Sequence, residues 1–176
     1  DTAALYSIIG HSIDLTNWRQ RPFRNPHHTC SAVALVGGSS NPKPGEISLA
    51  HNGVLFLDEL PEFERKVLDS LREPMETGTV TISRAARQME FPAQFQLIAA
   101  LNPSPTGCHH DKRATPDQVM RYLSRVSGPF IDRIDLQIEL PRLSSVELQS
   151  TTAEETSAEV RARVEAAYAI QLKRQG

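Results

Sequence analysis

The sequence predicts an α/β fold built on a parallel sheet, and three observations carry that prediction. Val54-Leu55-Phe56-Leu57 is a short apolar run without polar alternation, the pattern of a strand in a parallel sheet. Phe95 to Leu101 is a second such run. Between them, Pro61 to Glu76 places Phe63, Val67, Leu71 and Met75 on one helical face, so a helix follows the first strand as in a βα unit. At 176 residues and 39% hydrophobic composition the chain can bury one good core, which argues for a single domain with an appendage.

The remaining elements follow in chain order. Residues 1–9 read as the end of a helix stopped by Gly10, and the stretch to Pro26, with Arg19, Arg21 and Arg24, reads as a loop. Small and β-branched residues from Thr29 to Val36 suggest an extended piece, followed by a long turn from Gly37 to Gly45. Gly78 ends the central helix. Thr79-Val80-Thr81-Ile82-Ser83 and Met89-Glu90-Phe91 alternate with period two and predict a β-hairpin with a basic tip from Arg84 to Arg87. Thr115 and Pro116 supply the N-cap and first position of a helix bearing Val119, Met120, Leu123 and Val126, which Gly128-Pro129 breaks. Ile134, Leu136, Ile138 and Leu140 alternate with polar residues and predict a third, half-exposed strand closing at Pro141. Residues 142–155 are polar and acidic and read as a linker. Thr156 to Glu159 form a capping box ahead of a helix with Val160, Val164, Ala167, Tyr168 and Leu172.

Composition narrows the function. Lys and Arg total 19 against 21 Asp and Glu, so the net charge of -2 supplies no general basic field and any nucleic-acid contact must be local. Cys30 and Cys108, far apart, do not make a disulfide framework, which favours a reducing compartment. No signal peptide opens the chain and no apolar run approaches the ~20 residues of a membrane helix, so a cytoplasmic location is expected.

Asp58 and Glu59 follow directly on the first apolar run, where a parallel sheet presents its ligands. This is the pattern of a Walker B strand, in which an aspartate holds magnesium and a neighbouring carboxylate polarises the attacking water. The plain alternative is a buried strand followed by an acidic turn. Asn102 ends the second run and could orient the same water, or simply start a turn before Pro103. Arg133 could reach a neighbour's γ-phosphate, or pair with Asp132 or Asp135. Arg84 and Arg87 could grip a phosphate backbone inside a pore. His27 and His28 are ambiguous. Cys108, His109, His110 and Asp111 are metal-ligand types, but adjacent residues rarely all reach one ion, and an exposed loop is the better reading. No G-x-x-x-x-G-K-[ST] loop exists. In the nearest stretch, Gly37 to Pro44, Pro42 and Pro44 remove the amide donors and the hydroxyl that a phosphate cradle needs. That loop is therefore expected upstream of Asp1, or the nucleotide fold is inactive.

In order along the chain, Arg21-Pro22-Phe23-Arg24-Asn25-Pro26-His27-His28-Thr29, Lys43 to His51, Gly53 to Leu60, Arg72-Glu73-Pro74, Leu101-Asn102-Pro103 and Ser127 to Leu136 together resemble the magnesium chelatase-like AAA+ ATPases, in their bacterial competence-associated type. The resemblance implies a three-layer αβα P-loop NTPase core with a hairpin before the sensor asparagine. It divides the chain into part of that core, residues 1–141, and a linker with the first helix of a lid, residues 142–176. It implies ATP and Mg2+ as ligands, Asp58 on the magnesium side, Glu59 as the water-activating acid, Asn102 as sensor 1 and Arg133 as an arginine finger. It also implies a hexameric ring, no membrane, and DNA as partner, with a helicase promoting branch migration; residues 79–91 would point toward the ring's channel. The alternatives are a metal-chelatase motor remodelling a protein partner and a degenerate binding module. The chain departs from the family pattern in lacking the phosphate-binding loop, the sensor 2 arginine and the cysteine pairs that many relatives carry after the sensor asparagine. The chain alone is therefore expected to be inactive, and a zinc site at Cys108 is not expected.

Overall fold

A computed structural model describes residues 1–11, 16, 20–38, 42–84, 87–107, 113–141, 143 and 155–175, with Arg84 and Arg87 described at the backbone only. The chain divides into two compact units, Asp1–Gln137 and Ile138–Gly176.

The first unit runs α1 (Thr2–Ile8), β1 (Phe23–Arg24), α2 (Ala32–Val36), α3 (Glu46–Leu49), β2 (Val54–Leu57), a 3-10 turn (Leu60–Glu62), α4 (Arg65–Asp69), α5 (Arg72–Thr77), β3 (Thr79–Arg84), β4 (Arg87–Pro92), β5 (Gln96–Ala99), α6 (Pro116–Leu123) and α7 (Gly128–Ile131). The main sheet has the order β1-β2-β5, and both pairings are parallel. Val54 pairs with Phe23 on one side and Gln96 on the other. This is the mixed α/β fold with a parallel sheet and helices of an AAA+ core, here in part. The hairpin β3–β4 lies in sequence between the second and third strands and forms its own antiparallel sheet, from Thr79↔Pro92 to Arg84↔Arg87.

The core lies under one face of the sheet. Leu55 and Leu57 of β2 are fully buried with Leu35, Ile47, Leu60, Val67, Leu71 and Phe130, and burying each such side chain is worth about 1.5–3 kcal/mol. The other face is less covered than an unbroken apolar run predicts. Phe23 is 62% and Ile98 42% exposed, with the Phe56 ring stacked on Phe23 at 6.1 Å between centroids. β2 thus alternates in burial though not in polarity. Gly53 lets it begin close to the preceding loop: Val54 N–H donates to Pro22 O at 2.8 Å, and a Cβ on Gly53 would overlap that carbonyl.

Four expectations are corrected. The helix expected from Pro61 to Glu76 is three pieces: Phe63 and Glu64 are extended, at ψ 144° and 135°, between the 3-10 turn and α4, and Pro74, which has no N–H and whose ring would clash with the Ser70 carbonyl of a continuous helix, separates α4 from α5. Its apolar face survives, with Phe63, Val67 and Leu71 buried, and Gly78 closes α5 in the left-handed conformation at φ 71°. Thr29 to Val36 is not extended: the Ser31 hydroxyl accepts from Ala34 N–H at 3.1 Å and starts α2. Gly128-Pro129 does not break the preceding helix: α6 already ends at Leu123, leaving Val126 beyond it, and the pair instead opens α7, whose Phe130 is fully buried. The third strand expected over Ile134 to Leu140 is absent: the segment has no ladder, and Leu136, Ile138 and Leu140 are 81%, 80% and 84% exposed. A strand exists only against a neighbour, and no described residue offers one.

In the second unit, α8 (Ser157–Gln175) begins with the expected capping box. Thr156 N–H donates to Glu159 Oε2 at 2.7 Å and the Thr156 hydroxyl donates to the same oxygen at 2.8 Å, two bonds that pull the Glu159 carboxyl below its ordinary range, while Glu159 N–H donates to Thr156 Oγ1 at 3.3 Å. None of its residues is buried, Val160, Val164, Tyr168 and Leu172 included. Among the described residues no helix is long and apolar enough to cross a membrane.

Candidate active site

The parallel pairing of β2 and β5 carries on past the strand ends, with Ala100 N–H donating to Leu57 O at 2.9 Å and Leu60 N–H donating to Ala100 O at 3.0 Å. These two bonds bracket Asp58 and Glu59, which are lifted out of the ladder and exposed at the carboxyl edge of the sheet. Asp58 Oδ1 accepts from Glu59 N–H at 2.9 Å. Glu59 sits in the left-handed region at φ 53°, ψ 47°, a conformation that costs a non-glycine residue about 1–3 kcal/mol. The 3-10 turn it caps holds it there, through Glu62 N–H donating to Glu59 O at 2.7 Å. Its side chain is 52% exposed, and His28 Nδ1 lies 3.0 Å from Oε2.

Asn102 follows β5 at this same edge and is exposed. Tyr122 of α6 relates it to the carboxylates. Burial raises the Tyr122 hydroxyl pKa, the negative charges of Glu62 and Glu59 raise it further, and Arg125 and a backbone hydrogen bond from Asn102 oppose the rise. The Tyr122 phenol thus takes a backbone hydrogen bond from Asn102 and feels the charge of Glu59. Arg125 fastens this side of the edge, donating from Nη1 to Glu62 Oε2 at 3.0 Å with its guanidinium 6.0 Å from the Tyr122 ring centroid.

Arg133 is placed elsewhere. It follows α7 and forms an ion pair with Glu76 of α5, not with Asp132 or Asp135, the partners its plain reading anticipates. Glu76 lines a groove with Arg21, Asn52, Gly53 and Gln96, at the amino ends of β2 and β5. The four residues of β2 separate that end from Asp58 and Glu59, roughly 13 Å at 3.3 Å per residue. Asp58, Glu59 and Asn102 share the carboxyl edge of the sheet; Arg133 does not stand at that edge.

Two arrangements were illegible in the sequence. β1 is two residues long and reads as loop, so its pairing with β2, which brings His28 to Glu59, has no sequence signal. Arg24 of β1 also grips Glu46 of α3 bidentately, Nε donating to Oε2 at 2.6 Å and Nη2 to Oε1 at 2.7 Å, and these bonds to the Glu46 carboxylate raise the Arg24 pKa against the opposing effect of burial. Among the described residues no group of three or more His, Cys, Asp or Glu could hold a metal. Cys108, His109, His110 and Asp111 lie outside the described residues, as do the side chains of Arg84 and Arg87.

The profile of the family described as magnesium chelatase, subunit ChlI, matches residues 1–148. The chain belongs to this family. It is 58% identical over 179 residues to competence protein ComM of Haemophilus influenzae, covering 100% of this chain and 35% of that protein. It is 54% identical over 178 residues to the uncharacterized protein YifB of Escherichia coli, covering 99% of this chain and 35% of that one. A weaker similarity, 30% identity over 99 residues, extends to DNA replication licensing factor mcm6 of Dictyostelium discoideum, covering 56% of this chain and 11% of that protein. The chain thus spans about a third of the length of its bacterial relatives. The resemblance to magnesium chelatase-like, competence-associated proteins read from the motifs is borne out.

Proposed function

We propose that this chain carries the hydrolytic edge of an ATP-driven AAA+ ring motor, and that the whole protein acts on DNA as a helicase or branch-migration factor in the cytoplasm. The observation that carries the reading is the exposed Asp58–Glu59 pair at the carboxyl end of a parallel strand, with Asn102 at the same edge. In this reading Glu59 accepts the proton of the attacking water and Asn102 orients that water. Asp58 has Oδ1 engaged by Glu59 N–H, and a second exposed oxygen is what a hydrated magnesium ion on nucleotide phosphates takes from a protein. The ion would neutralise phosphate charge. Arg133 serves the site of a neighbouring subunit. The lysine and amides that hold the β- and γ-phosphates are not in this sequence, so hydrolysis is assigned to the whole protein and the chain alone is inactive.

The family's description as a magnesium chelatase subunit favours a second reading, a motor that remodels a partner enzyme. The identity to a competence protein and the similarity to a replication licensing factor favour nucleic acid. We assign the DNA contacts to the β3–β4 hairpin, with Arg84 and Arg87 at its tip; loss of single-stranded DNA binding by the whole protein as salt rises separates the two readings. Glu59→Gln in the whole protein tests the site itself. It should keep ATP binding and lose hydrolysis by about 10²- to 10⁴-fold, because the amide keeps the shape and cannot accept the proton. A native hydrolysis rate would remove Glu59 from this role.

A further inference from the structure

We propose that His28 is the positioning residue of Glu59, its imidazole donating from Nδ1 to fix one carboxylate oxygen and leave the other to accept the proton. The proposal rests on the reading of Glu59 as the water-activating acid. The backbone of Glu59 is pinned by the Asp58 carboxylate and by the 3-10 turn. Its side chain is half exposed, and a free carboxylate on three rotatable bonds would spend most of its time out of line with any water. The contact of His28 Nδ1 with Oε2 at 3.0 Å removes that freedom.

The imidazole can do this because it is itself held. Its ring meets Phe63, a core residue, edge to face at 6.4 Å between centroids, and lies 4.1 Å from the His27 ring. His27 is locked in a turn: its Nδ1 accepts from Thr29 N–H at 3.3 Å and lies 2.9 Å from Thr29 Oγ1, while its carbonyl accepts from Cys30 N–H at 2.9 Å. This turn follows β1, which is registered on β2 and tied to α3 through Arg24 and Glu46. The neighbouring strand therefore delivers a clamped donor to the edge where the carboxylates emerge. A bare surface ion pair needs none of this support and contributes little.

Steady-state ATP hydrolysis by the whole protein tests the proposal with His28→Phe, His28→Asn and Glu59→Gln. His28→Phe keeps the ring contacts and removes the donor. It should lower kcat about tenfold with KM for ATP and Tm within error of the native values. His28→Asn, whose amide nitrogen stands close to the Nδ1 position, should restore most of kcat, and in the Glu59→Gln background His28→Phe should have no further effect. A native kcat for His28→Phe, or a change confined to KM, overturns the positioning role while an inactive Glu59→Gln leaves the Glu59 reading standing. A native rate for Glu59→Gln overturns both.

Discussion

Glu59 and Arg133 both end in a side-chain contact on the surface of one unit, yet their surroundings differ in kind. Glu59 stands in a left-handed turn at the carboxyl edge of the sheet, the edge that Asn102 also follows, backed by buried Leu55 and Leu57 and in contact with His28. Arg133 stands on the turn after α7, half exposed, against Glu76 at the amino end of the same strands. The first region concentrates strain, exposed carboxylate and supporting contacts, which is how a reacting site is built. The second is a simple pair of opposite charges. A chain that needs both groups for one reaction, with the strand length between them, brings them together only by meeting another copy of itself.

The largest effect that could break this contrast is in hydrolysis. If Arg133 acts on a neighbour's nucleotide, Arg133→Ala in the whole protein should lower ATP turnover by about 10³- to 10⁵-fold while ATP binding persists. If Arg133 is only the partner of Glu76, turnover will not change. Next in size is the support behind each region. Leu55→Ala removes a fully buried side chain beneath the carboxylate edge and should cost about 2–5 kcal/mol in denaturant unfolding of this chain. Leu136→Ala, three residues beyond Arg133 and 81% exposed, should stay within about 0.5 kcal/mol. Comparable losses at the two positions would mean that the 134–140 segment is packed after all. The smallest effect is at the Arg133–Glu76 pair: Glu76→Gln should change stability by about 1 kcal/mol or less and leave hydrolysis near native, because a surface pair is worth little and an arginine that works on another subunit does not need its own-chain partner.

The carboxylate edge was legible because its signal is local. An apolar run ending in two acids specifies both the strand and what stands at its end, and the N-cap at Thr115 and the capping box at Thr156 were equally readable from adjacent residues. What was not legible depends on pairing. Phe23–Arg24 becomes a strand only because β2 lies beside it, and with it comes His28. Ile134 to Leu140 alternates more regularly than β2 does, yet remains unpaired. Alternation states what a segment can bury; a neighbour with free backbone groups decides whether it becomes a strand. Arg133 shows the same limit. Its nearest acids in sequence are Asp132 and Asp135, but a tight turn carries it to Glu76, far earlier in the chain.

The central claim, that the two regions complete one site between two subunits, is tested by mixing whole-protein Arg133→Ala with whole-protein Glu59→Gln under conditions of subunit exchange. A head-to-tail ring sets one face of each protomer against a different face of the next. Some interfaces in mixed rings then join an intact Glu59 edge to an intact Arg133, and ATPase activity should rise well above that of either variant alone. Activity that stays flat despite demonstrated mixing would contradict the account and return Arg133 to the surface ion pairs.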